Sequence, residues 1–177
     1  MRKLKPTDYR LLYELVKNPR LSDRQIARVL GSSQPTITKK RTAFEKNGLL
    51  EYTAIPNFKK LGYEILAFTF GRWNLQKYPN TRVEEMKKFI EEHPHIIFIS
   101  TGSGSGWDRI GVSVHKDYSD YLKTIQGYQN GWGKYFETFS SFIVGLQSDN
   151  ILRDITFKYV AELMKKEHVK EEPGEDK

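Results

Sequence analysis

The chain has 177 residues, and its 29 lysines and arginines outnumber its 22 aspartates and glutamates to give a formal net charge of +7. It contains no cysteine, which excludes a disulfide framework and thiolate chemistry. The sequence has no run of about 18 apolar residues, and residues 1–5 lack the apolar core of a signal peptide. We therefore expect a globular protein that acts in the cytoplasm, with no membrane partner.

The positive charge lies almost entirely in the first third of the chain. Residues 1–60 hold 14 basic against 5 acidic side chains, whereas the remaining residues hold 15 against 17. Charge that served only solubility could lie anywhere, so its concentration in one segment favours a polyanionic partner. Double-stranded DNA attracts such a segment through the release of condensed counterions.

The first elements in chain order predict a helix-turn-helix. A helix with an apolar stripe over residues 5–16 is followed by a second helix, which begins with a capping box at Ser22–Gln25. Gly31 supplies the positive φ that ends the second helix, and Ser32 or Ser33 can cap a third helix directly after it. An extended segment over residues 49–56 then stands where a wing would be. Together these features predict a winged helix-turn-helix.

The third helix presents a polar face that suits DNA. Ile37 and Phe44 lie seven residues apart on one side, and polar or cationic side chains occupy most of the remainder. Amides, hydroxyls and cations of this kind can contact base edges and phosphates in a major groove. The predicted DNA-binding residues are Arg24, Ser33, Gln34, Thr36, Thr38, Lys39, Lys40, Arg41 and Thr42.

From residue 63 the sequence predicts alternating strands and helices. The predicted order is a strand over 64–73, a helix from a Thr81 cap to His93-Pro94, a strand over 95–101, a glycine-rich turn over 102–106, a strand over 109–115, a helix over 118–128 and a strand over 139–147. This βαββαβ order defines a ferredoxin-like antiparallel sheet with both helices on one face. The predicted fold class is therefore α+β.

These elements give the predicted organisation of the chain. It comprises a winged helix-turn-helix domain over residues 1–56, a linker over 57–62, a ferredoxin-like domain over 63–148, a C-terminal helix over 149–169 and a disordered tail over 170–177. The C-terminal helix has amphipathic spacing, and it packs either on its own domain or against a partner subunit.

The first predicted strand indicates self-association. Leu66, Phe68 and Phe70 alternate with Ile65 and Ala67, so both faces of the strand are apolar. The two helices cover only one face of the predicted sheet. Because an uncovered apolar face is typical of a subunit interface, we predict a homodimer formed sheet against sheet.

Short motifs occur along the chain in a characteristic order and spacing. They are Asn18-Pro19-Arg20-Leu21-Ser22, Gln25-Ile26-Ala27, Ser33, Ile37, Lys40, Phe44, Glu45, Gly48, Tyr52, Lys60-Leu61-Gly62-Tyr63 and Gly106-Trp107-Asp108. In this arrangement residues 4–148 resemble the Lrp/AsnC family of feast/famine transcription regulators. The chain differs from the family pattern at Lys40, where arginine is usual, and at Arg41, where an apolar residue is usual.

The resemblance implies a function and a second site. Members of the family bind DNA as dimers, often assembled into octamers, and are tuned by an amino acid or a related small molecule. Their effector site lies near the glycine-containing loop between the second and third strands. By this match we place Gly104, Gly106 and Asp108 at the effector site.

Two alternative functions remain open. Sirohaem decarboxylases resemble the same two-domain arrangement and bind a tetrapyrrole in place of DNA, since a fold does not determine a function. Such an enzyme would need a histidine and a basic pocket in the C-terminal domain. A ligand-sensing partner that has lost contact with DNA also fits. The concentration of positive charge near the N-terminus favours nucleic acid.

No catalytic or metal chemistry is predicted. His93, His95, His115 and His168 lack the spacing of metal ligands. The glycine-rich residues 102–106 precede a strand, whereas a phosphate-cradling loop opens a helix. We therefore expect a protein that is not an enzyme and that needs no cofactor.

Overall fold

A computed structural model describes residues 4–78, 83–149 and 151–168, and the chain divides into two units. The N-terminal unit contains the described residues up to Ile55 together with those from Arg153 onward, and the C-terminal unit spans Pro56–Leu152. No helix in the described part of the chain is long and apolar enough to cross a bilayer. The predicted Thr81 cap and the predicted tail over 170–177 lie outside the described residues.

The order of elements follows the prediction closely. In chain order the elements are α1 (Pro6–Lys17), α2 (Asp23–Val29), α3 (Gln34–Lys46), β1 (Ile65–Trp73), α4 (Val83–Glu91), β2 (Ile96–Gly104), β3 (Trp107–His115), α5 (Tyr118–Trp132), a 3-10 turn (Gly133–Tyr135), β4 (Phe136–Gly145) and α6 (Lys158–His168).

The N-terminal unit is built around a helix-turn-helix core. Buried side chains from α1, α2 and α3 form this core, namely Leu11, Leu12, Leu15, Ile26, Ala27, Ile37 and Phe44. The predicted capping box is present, because the Ser22 N–H donates to Gln25 Oε1 at 2.8 Å and the Gln25 N–H donates to Ser22 Oγ at 3.3 Å. Val29, the last residue of this short α2 helix, is exposed.

The C-terminal helix differs from its prediction in length and in position. It begins at Lys158 and not at residue 149, because amphipathic spacing alone does not locate the start of a helix. α6 packs against α1, where Tyr13 Oη donates to Glu162 Oε1 at 3.1 Å. The rings of Tyr9 and His168 stack with 3.9 Å between their centroids. The helix is therefore part of the helix-turn-helix unit.

Two connecting segments also differ from the prediction. Residues 49–56, where a wing was expected, contain no strand. Residues 57–62, predicted as a linker, belong to the C-terminal unit, because Phe58 packs against a buried cluster that includes Leu66. The apolar side chain of Phe58 explains why this segment does not remain free.

The C-terminal unit has the predicted ferredoxin-like topology. Its strands are all antiparallel and lie in the order β2-β3-β1-β4. Ile65 stands opposite His115 of β3 and Gly145 of β4. The hairpin between β2 and β3 is tighter than expected, because only Ser105 and Gly106 form the turn, with φ of +48° and +80°. Paired positive φ values of this kind match the twist of a two-residue hairpin.

The two faces of the sheet have different environments. α4 and α5 cover one face. On the other face, one side chain from each strand forms a row across the sheet, in the order Phe98, Val112, Phe68 and Phe142. We call these four residues the open-face row. Phe142 is 65% exposed and Phe98 is 53% exposed.

Candidate nucleic-acid interface

The turn between α2 and α3 sets the start of the candidate recognition helix. Gly31 has the predicted positive φ, at +60°. The Ser33 hydroxyl accepts a hydrogen bond from the Thr36 N–H at 3.4 Å and lies 2.8 Å from Thr36 Oγ1. Ser33 and Thr36, both predicted to contact DNA, are thus bonded to each other at the N-terminus of α3. This capping holds the first turn of the helix in place.

Asp23 connects the first turn of α2 to the middle of α3. Its carboxylate accepts a hydrogen bond from Thr38 Oγ1 at 2.6 Å and lies 2.9 Å from Arg41 Nη1. Arg41 Nη2 also donates to the carbonyl of Leu21 at 2.8 Å. Two of the predicted DNA-binding side chains, Thr38 and Arg41, are therefore engaged within the unit. The cation at Arg41, unusual for the family pattern, has its counter-charge in Asp23.

Lys40 connects α3 to α1 in a similar way. Its ammonium group forms an ion pair with the Asp8 carboxylate and donates to Thr7 Oγ1 at 3.1 Å. Asp8 also accepts a hydrogen bond from the Lys5 N–H at 2.9 Å, at the start of α1. Lys40 and Asp8 are partly buried, and their ion pair holds α3 and α1 together. The sequence pattern did not predict this pair.

The solvent-facing side of α3 carries the predicted polar groups that remain available. Gln34, Lys39 and Thr42 are exposed on α3, and Arg24 is exposed on α2. Within the described part of the chain, none of these four side chains has a hydrogen bond or an ion pair. Lys46 shares a side of α3 with Lys39 and Thr42, since residues three, four and seven apart face the same way. The helical pattern of the sequence already places Lys46 on this polar face, although Lys46 is not among the predicted DNA-binding residues.

Asp108, one of the three predicted effector residues, lies at the end of the sheet. Its Oδ1 accepts a hydrogen bond from the Trp73 N–H at 3.0 Å and lies 3.3 Å from Arg109 Nη1. The carboxylate therefore joins the beginning of β3 to the end of β1. Part of its acceptor capacity serves this structural contact.

The other two predicted effector residues lie at the hairpin. Gly106 accepts a hydrogen bond at its carbonyl from Arg72 Nε at 2.6 Å, and the same guanidinium occupies the space that a side chain at Gly106 would need. Gly104 pairs with Trp107 at the end of the hairpin. A depression of about 290 Å³ lies beside the hairpin and is lined by Gly104 and Asp108 among others.

Three histidines that are separated in sequence lie together in the C-terminal unit. The ring centroids of His93 and His95 are 5.6 Å apart, and those of His95 and His115 are 5.4 Å apart. His115 is fully buried, with Nε2 at 2.8 Å from Ser113 Oγ, while His95 Nε2 lies 3.0 Å from Tyr128 Oη. The pairing of β2 with β3 brings His95 and His115 together. The described residues contain no His, Cys, Asp or Glu group arranged to hold a metal ion.

Burial lowers the pKa of two of these histidines, His95 and His115. It lowers the pKa of His115 below the ordinary value, and Asp120, at 3.7 Å from His115 Nδ1, acts in the opposite direction with a smaller effect. Burial likewise lowers the pKa of His95, with His115 and His93 adding to the effect and Asp120 opposing it. Burial also raises the pKa of Tyr128, so its hydroxyl remains protonated.

The lowered pKa values predict acid sensitivity of the C-terminal unit. Below about pH 6.5 the unfolded chain protonates these histidines while the folded unit resists protonation, so stability is full above this pH and falls as the pH drops further. We expect the urea midpoint to fall between about pH 7 and about pH 5, and we expect His115→Gln to flatten the decline. His168→Gln, at an exposed position of α6 in the N-terminal unit, is the control and should leave the decline of the C-terminal unit unchanged. An equal decline in the wild type and His115→Gln would contradict the prediction.

Comparison with known proteins agrees with this geometry. Residues 4–51 match the family of winged helix-turn-helix DNA-binding domains. An HTH-type transcriptional regulator of Pyrococcus horikoshii is 31% identical over 125 residues, which cover 71% of this chain and 77% of the relative. The HTH-type transcriptional regulator LrpA of Pyrococcus abyssi is 32% identical over 118 residues, covering 66% of this chain and 82% of LrpA.

Solved structures show the same fold. AsnC of E. coli aligns with a TM-score of 0.68 at 16% identity, covering 87% of this chain and 99% of AsnC. A transcriptional regulator of Neisseria meningitidis in complex with L-methionine aligns with a TM-score of 0.72 at 14% identity, covering 89% of this chain and 99% of the other.

The fold and the exposed polar helix define a DNA-binding protein of the winged helix-turn-helix class. The chain belongs to the Lrp/AsnC family of transcription regulators.

Proposed function

We propose that this protein regulates transcription as a homodimer that inserts α3 into the major groove of duplex DNA. The observation that carries the proposal is the division of α3 into two sides. Asp8 and Asp23 engage its inner polar side chains. Gln34, Lys39 and Thr42 face solvent on the other side. A helix whose inner charges are neutralised within the unit presents its remaining polar groups to an external partner.

Each exposed group suits a particular contact with DNA. Gln34 lies in the first turn of α3, the part of a recognition helix that contacts base edges, and its amide matches adenine. Lys39 and Lys46 carry charges suited to phosphates further along the helix. Arg24 lies on α2, the helix that crosses the DNA backbone in this motif. The proposal therefore assigns base contacts to Gln34 and phosphate contacts to the three cations.

The open-face row supports the homodimer. It crosses all four strands on the face opposite α4 and α5, and its two ends carry the exposed aromatic side chains of Phe98 and Phe142. Aromatic side chains are enriched in the buried centres of protein interfaces. A two-fold pairing of this face buries both rows and supplies two helix-turn-helix units to each dimer. Assembly of dimers into octamers stays a prediction from the family resemblance.

We place a small-molecule effector site at the β2–β3 hairpin. The support is the depression lined by Gly104 and Asp108, with Gly106 at the adjoining turn. The similar regulator of Neisseria meningitidis forms a complex with L-methionine. One oxygen of the Asp108 carboxylate accepts the hydrogen bond from the Trp73 backbone N–H. The other oxygen can accept a hydrogen bond from the ammonium group of a ligand.

Replacement of Lys39 tests the proposed groove contact. We expect Lys39→Ala to weaken binding to every DNA sequence and to reduce the slope of log affinity against log salt concentration by about one, because one phosphate contact is lost. Fluorescence anisotropy with labelled duplexes at several salt concentrations measures both quantities. Lys166→Ala, an exposed lysine of α6, is the matched control and should change neither.

The variant Gln34→Ala distinguishes base recognition from nonspecific electrostatic attraction to DNA in the same assay. Gln34→Ala should lower affinity for a selected site by roughly 1–3 kcal/mol while leaving the salt slope unchanged, since an amide carries no charge. If Lys39→Ala and Lys166→Ala have equal effects on the salt slope, α3 does not face DNA as proposed.

A further inference from the structure

The helix-covered face of the sheet is tightly packed at one end and hollow at the other. At the packed end, Ile65 and Ala67 of β1 pack against Tyr121, with Ile125 beside them. Further along β1 the inward residues become small, and Thr69 stands opposite Gly111 of β3. A cavity of about 80 Å³ lies above these small residues.

The walls of this cavity are mainly apolar. Large side chains from both helices and from the outer strands line it, namely Met86, Phe89, Ile96, Ile99, Trp132, Phe136 and Phe139. A Cβ atom built at Gly111 would have the Phe98 carbonyl oxygen, at 4.0 Å, as its nearest neighbour, so the strand itself leaves open space. Since a cavity of about 150 Å³ accepts benzene, this smaller one fits a short branched alkyl group.

The hydroxyl groups in the cavity wall already have partners in the protein. These pairs are Thr69 with Ser141 at 3.0 Å, Ser113 with His115 at 2.8 Å and Tyr128 with His95 at 3.0 Å. Polar groups on the part of a ligand that enters the cavity would therefore lose their hydrogen bonds to water and find few replacements here. The cavity therefore favours a ligand whose buried part is apolar.

One residue gives the cavity a charge. Arg109 is the only charged side chain among the described residues that line it, and it is 13% exposed. Its guanidinium lies 5.3 Å from the Trp73 ring, and Nη1 lies 3.3 Å from Asp108 Oδ1, so the group is held in place. A planar guanidinium matches the geometry of a carboxylate. An ammonium group on the same ligand would have no acidic residue among these lining residues.

We propose that the C-terminal unit binds a short branched-chain carboxylic acid in this cavity. The alkyl body lies between the sheet and the aromatic side chains of Phe89 and Trp132, and the carboxylate meets Arg109. The cavity rejects the corresponding amino acid, because its ammonium group would be buried without a counter-charge. This inference does not rest on DNA binding, since every residue that carries it lies in the C-terminal unit.

Titration of the full chain with 3-methylbutanoate tests the proposal. We expect the NMR signal of the Trp132 indole N–H to shift with a millimolar dissociation constant, as suits a ligand of about seven non-hydrogen atoms. L-valine, which adds only an ammonium group to this acid, should bind at least about tenfold more weakly. No shift of Trp132 at about 50 mM acid, or equal binding of valine and the acid, would overturn the proposal.

Two variants locate the ligand. Gly111→Val fills the open space and should weaken binding of the acid at least about tenfold. Gly145→Val adds the same side chain to β4, where no atom lies within 4 Å of the new Cβ, and should bind as the wild type does. Arg109→Met should weaken binding of the acid while leaving binding of 3-methylbutan-1-ol unchanged. Unchanged binding of the acid by Gly111→Val would place the ligand elsewhere, whatever the protein's affinity for DNA.

Discussion

We expect Phe142→Glu to convert the proposed homodimer to monomers at micromolar concentrations. Phe142 is 65% exposed and ends the open-face row. Replacement of an aromatic side chain that is buried in an interface by a charged one costs about 2 kcal/mol or more. A two-fold interface contains the substitution twice, so the loss is roughly 4 kcal/mol, or about a thousandfold in the dimer dissociation constant. Sedimentation equilibrium measures this change directly.

Leu75→Glu is the matched control for Phe142→Glu. Leu75 is comparably exposed, but it lies in the turn after β1 and outside the open-face row. The control should dimerise like the wild type. Dimers of Phe142→Glu with wild-type affinity would show that the open face is not the subunit interface. Each subunit should keep its fold in both variants, because neither position is buried.

A second large effect is expected when Ala161 is replaced by glutamate. Ala161 is fully buried on α6, the helix that packs against α1. Glutamate would have to bury both extra volume and a charge, at a cost of about 3 kcal/mol. We therefore expect α6 to separate from α1, the amides of both helices to exchange hydrogen faster, and the melting temperature of the unit to fall by about 10 °C or more.

Leu163→Glu provides the control on the same helix. Leu163 is exposed, so the same new side chain should leave hydrogen exchange and melting nearly unchanged. If both Ala161→Glu and Leu163→Glu melt like the wild type, then α6 contributes little to the stability of the helix-turn-helix unit. If both variants lose equally, the loss reflects the added charge and not the packing of α6.

The parts of the structure that the sequence predicts best are those set by local interactions. The capping box at Ser22 and the positive φ of Gly31 depend on residues three or fewer positions apart, and both are confirmed. The ferredoxin-like topology is also confirmed, because alternating apolar residues and turn residues mark each strand. Element boundaries are less well predicted, as β2 extends to Gly104, into the glycine-rich segment that was expected to be a turn, and β3 begins at Trp107 and not at residue 109.

The candidate site depends more on contacts between distant residues. The pairing of Lys40 with Asp8, and of Arg41 with Asp23, joins residues on different helices, so no local pattern reveals it. The sequence treats every cation on α3 as equally available, whereas the fold neutralises these two within the unit. The packing of α6 on α1 is hidden for the same reason. Amphipathic spacing identifies a helix that packs but does not identify its partner.

The central claim is that the exposed side of α3 recognises duplex DNA. Its most direct test is selection of genomic fragments by the purified full chain at a low and a higher salt concentration. We predict that many fragments bind at low salt and that a smaller set with a shared sequence persists at higher salt, because nonspecific electrostatic binding weakens first. A protein that retains no fragments even at low salt, or that loses all fragments equally with no shared sequence, would contradict the account.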